Sequence, residues 1–60
     1  METSLVMSVY IYNNALRGHN GDHLKAAVGL VNAMLEYPDT RNSDTLEAVA
    51  SLLREVQLAK

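Results

Sequence analysis

Two runs of turn-forming residues, RGHNGD from Arg17 to Asp22 and EYPDTRNSD from Glu36 to Asp44, cut this chain into three segments. Gly, Asn, Asp and Pro cluster there, as loops require. Each remaining segment has room for one short element. With only 60 residues and no cysteine, no disulfide can reinforce those elements. A single core in so small a chain seldom supplies more than ~3–5 kcal/mol. Well-packed helices, or assembly with another chain, must make up the difference.

The middle segment predicts a helix over 22–36. Asp22 is placed to accept from the free N–H groups of the first turn. Leu24, Ala27, Val28, Val31, Met34 and Leu35 recur at spacings of three and four, as a helix requires. Pro38 disfavours helical geometry at Tyr37 and forces an end. The last segment predicts a helix over 44–58. Asp44 and Glu47 have capping-box spacing. Leu46, Val49, Ala50, Leu53 and Val56 form its stripe, and Arg54 and Lys60 suit the C-terminal end of the dipole.

The first segment, LVMSVYIY, is rich in β-branched and aromatic residues and would also serve as a strand. Strand–helix–helix is the layout of the ribbon–helix–helix DNA-binding dimers. Their strands carry polar or basic side chains, whereas residues 5–12 carry no charge. A lone strand would also lack a partner within the chain. A helix over 4–17 is the favoured reading, capped by Thr3 or Ser4 and stopped by Gly18. Leu5, Val9, Tyr12 and Leu16 then face inward.

Ala26, Gly29 and Ala33 keep one face of the middle helix small, so a neighbour can approach closely. The set Ala26, Leu30, Ala33 and Pro38, preceded by the Gly21-Asp22 turn, resembles the second helix of a tetratricopeptide repeat. Leu30 takes the family's aromatic place. Leu46, Val49, Ala50 and Leu53 are similar in spacing to the family's first helix, while Val9, Tyr12, Asn13 and Leu16 depart from it at Asn13. About one and a half repeats fit. The resemblance implies a helix-turn-helix that binds other proteins.

Little here points to chemistry. His19 and His23 flank Asn20 and Gly21 and read as solvated loop residues, with no third firm ligand. Ser43-Asp44-Thr45-Leu46 lacks the Asp-Ser-Leu order of a carrier-protein attachment site. DTRNSDTLE fails as a calcium loop, because Arg41 occupies a ligand place. No serine elbow or glycine-rich phosphate loop occurs. No catalytic, cofactor or metal residue is expected. The formal charge of −2 argues against nucleic acid as a ligand. The apolar start is too short to span a membrane, which takes about 20 residues, and it lacks a basic start. A cytoplasmic protein is expected.

The informative excess lies in the first segment. As a helix it would be apolar nearly all round, and such helices are normally buried on all sides. Met7, Tyr10, Ile11, Asn14 and Arg17 form a second stripe and are the expected partner interface.

The expected architecture is one all-α domain over 1–60, with about three short antiparallel helices (a helical hairpin plus one) that self-associates. The expected function is non-enzymatic: docking an apolar helix face on a protein partner or a second copy, as an adaptor, inhibitor or chaperone-like regulator. Size alone suggests a regulator of the kind encoded by phages or mobile elements. The alternatives are a small dimeric DNA-binding regulator and a structural subunit of a larger assembly.

Overall fold

A computed structural model describes residues 3–59. The chain forms three helices: α1 (Thr3–Gly18), α2 (His23–Glu36) and α3 (Ser43–Leu58), with a short 3-10 turn at Pro38–Thr40. No strand occurs among the described residues. The first segment is helical, so the strand–helix–helix layout does not apply.

The ends of the helices follow from local chemistry. At the end of α1, the Leu16 carbonyl accepts from the N–H groups of His19 (3.2 Å) and Gly21 (2.9 Å). The left-handed positions are Asn20 (φ 56°) and Gly21 (φ 80°). Gly18 is the last residue of α1, where the helix was expected to stop. Asp22 caps α2 as expected, its Oδ1 accepting from the Lys25 N–H at 3.0 Å. At the other end of α2, the Arg41 guanidinium reaches back. Its Nε donates to the Met34 carbonyl (2.5 Å) and its Nη2 to the Leu35 carbonyl (3.1 Å). A cation there satisfies carbonyls that lack intrahelical partners and complements the helix dipole.

The cap of α3 differs from expectation. Asn42, not Asp44, is the N-cap. Its Oδ1 accepts from both the N–H (2.9 Å) and the hydroxyl (3.1 Å) of Thr45. Thr45 is buried, so this one side chain both starts the helix and satisfies a polar group inside the fold.

Helix α3 packs against both α1 and α2, which touch each other less. The core comprises Ala26 and Ala27 of α2 with Val49 and Leu52 of α3; Tyr12, Ala15, Leu16, Leu30 and Met34 pack around it. Leu52 is the only large side chain fully enclosed among the described residues. The molecule measures 32 × 29 × 17 Å. Its thinnest dimension is less than two helix diameters of ~10–12 Å, so every helix keeps a face in solvent.

The packed faces match the sequence reading in part: the small side of α2 packs at Ala26, as do Val49 of α3 and Tyr12 and Leu16 of α1. On α2 the packed side is Ala26, Ala27, Leu30 and Met34, while Leu24, Val28, Val31 and Leu35 point outward. On α3 the packed side is Thr45, Ala48, Val49 and Leu52, turned by about one residue; Leu46, Ala50 and Leu53 are exposed. Both helices carry two apolar stripes, and the one with smaller side chains faces inward. Helices approach to 8–10 Å according to the size of the side chains at the contact. On α1, Val9 is exposed rather than packed, and Ile11, expected outside, is half-buried. The side chain of Leu5, the expected cap at Thr3 or Ser4, and Lys60 lie outside what the structure describes.

Candidate functional site

The expected interface residues share one side of α1. Met7 and Tyr10 are 47% and 62% exposed. Asn14 and Arg17 are exposed and joined, Arg17 Nη2 donating to Asn14 Oδ1 at 2.8 Å. Ile11 is partly covered. The structure thus brings the five together, with two apolar side chains in solvent and a polar pair at one end.

A longer apolar surface lies on α2. Leu24 and Val28 are each 50% exposed, Val31 38% and Leu35 70%. Their spacing of four, three and four puts all four on one narrow strip of the helix. Beside this strip is a recess of about 360 Å³, lined by His19, Leu24, Lys25, Val28, Gly29 and Asn32. The His19 ring forms one wall by lying over Gly29, where a Cβ would stand 2.6 Å from its Nε2. His23 packs edge-on against Tyr12, ring centres 6.3 Å apart. Both histidines are half-buried packing residues, not the freely solvated loop residues expected. Sequence reasoning counted Leu24, Val28, Val31 and Leu35 in the apolar repeat of the helix and did not name them as a contact surface. It took the small face of Ala26, Gly29 and Ala33 as the packed one, and Ala26 is fully buried there.

A second concavity, about 390 Å³, runs between α1 and α3, with Ser8, Val9 and Tyr12 on one side and Ala48, Ser51 and Arg54 on the other. Glu47 and Glu55 complete its rim, and neither histidine lines it. Among the described residues, no group of three or more His, Cys, Asp or Glu is placed to hold a metal ion. No described helix is long and apolar enough to cross a membrane. The features that stand out among the described residues are exposed apolar side chains on helices.

No protein-family model, curated protein or solved structure matches the chain.

Proposed function

We propose that this chain is a non-enzymatic protein–protein interaction module. It acts by laying an apolar helix face on a protein partner, in the manner of an adaptor, inhibitor or chaperone-like regulator. The observation that carries this reading is the outward strip Leu24, Val28, Val31 and Leu35. A scattered exposed leucine needs no explanation, but a contiguous apolar strip on a small protein marks a contact surface. An amphipathic helix offered as anchors at spacings of three and four is a recurring recognition mode. Met7 and Tyr10 on α1 give a second, smaller contact surface of residue types favoured at interface centres. Ala26, Leu30 and Ala33, which carry the tetratricopeptide-like resemblance, lie on the opposite, packed side of α2, so that resemblance leaves the strip free for binding.

Photo-crosslinking in the native host tests the proposal. A benzophenone side chain replacing Val28 or Tyr10 should give discrete higher-mass adducts. The same group at Glu55, beside the polar groove, should give few. Adducts at Val28 should vanish when Val31 is also replaced by Glu. Absence of any discrete adduct at both Val28 and Tyr10 would reject a docking role.

A further inference from the structure

Read from either end, the outward strip of α2 is the same: Leu, Val, Val, Leu, spaced four, three and four. From that symmetry we infer that α2 pairs with α2 of a second copy, antiparallel about a two-fold axis passing between Val28 and Val31. The inference rests on the docking role proposed above and names the partner for its main surface. A two-fold interface must be self-complementary, each patch meeting itself in reverse. Here the pairing sets Leu24 against Leu35 of the other copy and Val28 against Val31 of the other copy, twice over.

Two further features fix the direction. Lys25 and Glu36 project on the same flank of the strip, near its opposite ends; both are exposed. Antiparallel pairing brings Lys25 of each copy beside Glu36 of the other. Parallel pairing would carry this flank of the second copy to the far side of the interface, so neither Lys25 would meet a Glu36 and both ion pairs would be lost. The recess beside Leu24 and Val28, walled by His19, also lies where the antiparallel copy presents Leu35, the most exposed residue of the strip. A projecting leucine thus meets a recess at each end of the interface. One pair of short helices makes a small interface, below the ~1,200–2,000 Å² of stable complexes, so the dimer is expected to exchange with monomer at micromolar concentrations.

The chain's lack of cysteine makes disulfide trapping a clean test. An equimolar mixture of Lys25→Cys and Glu36→Cys chains, oxidised gently, should form mixed dimers at least tenfold faster than either variant links to itself. Both variants leave the apolar strip intact. In parallel, sedimentation equilibrium of the unaltered chain should show a monomer–dimer equilibrium. Val28→Glu should weaken it at least tenfold while circular dichroism keeps its helical signal. Self-linking of Lys25→Cys as fast as the mixture would overturn the antiparallel arrangement. A clean monomer at several hundred micromolar would overturn self-pairing. Adducts to a different protein at Val28 in the host would then leave the docking role standing, whereas absence of all adducts would remove both.

Discussion

Gly29 shows how a single missing carbon shapes a surface. Its position in the interior of α2 costs ~1 kcal/mol relative to alanine, yet a Cβ there would meet Nε2 and Cε1 of His19 at 2.6 and 3.2 Å. The obstructing atoms are the far end of a flexible ring, so the ring is able to swing away and open the recess beside Leu24. Gly29→Ala in a His19→Ala background should therefore stabilise the fold by about 1 kcal/mol, roughly 4–8 °C in Tm. In the native background the gain should be smaller by the cost of moving the ring. Equal gains in both backgrounds, measured by urea unfolding, would show that His19 does not rest on Gly29. Sequence reasoning took Ala26, Gly29 and Ala33 as one small face meeting a helix. For Ala26 that is the geometry found, since it is fully buried. Gly29 answers instead to a loop imidazole, and a contact from a loop leaves no periodic trace in the sequence.

Among the elements, α2 carries the most instructive ambiguity. Its composition is apolar on two sides, so spacing alone identifies a helix without saying which side packs. The helix itself and its Asp22 cap were legible because they depend on neighbours a few residues apart. The facing was legible only in part: small size marked the Ala26 side as packed, but how far the contact spreads to Ala27, Leu30 and Met34 depends on how closely α3 approaches. The cap of α3 was misread for a related reason: Asn42 and Asp44 are both capping residue types, and only the burial of Thr45 decides between them. The packed face can be tested by enlarging alanines on α2. Ala26, with no exposed surface, should not accept leucine without strain costing ~1–3 kcal/mol. Ala33, which is half-buried, should tolerate leucine at a smaller loss. Thermal melts of Ala26→Leu and Ala33→Leu should rank in that order, and the reverse ranking would mean that α2 is rotated from the orientation described.

For the molecule as a whole, the balance between covered and uncovered apolar surface sets the behaviour. The enclosed apolar core among the described residues is three alanines, one valine and one leucine: Ala26, Ala27, Ala48, Val49 and Leu52. Outside it stand Met7, Tyr10, Leu24, Val28, Val31, Leu35, Leu46 and Leu53, all substantially exposed. Fully burying a leucine or valine contributes ~1.5–3 kcal/mol, so covering the α2 strip in two copies is comparable to the whole stability expected of a chain this small, ~3–5 kcal/mol. Association opposes this with ~4–15 kcal/mol of lost freedom, and the strip side chains are already partly covered in the single chain, so the net gain is modest. Folding and pairing are then linked by mass action. Raising the chain concentration a hundredfold should raise Tm by several degrees, since each tenfold step is worth ~1.4 kcal/mol per dimer. Val28→Glu should flatten that dependence while leaving the low-concentration Tm nearly unchanged, because Val28 is half in water in the isolated chain. A melting temperature constant over the full range for the unaltered chain would mean that the three-helix core stands alone, and that the apolar strip on α2 meets a different protein.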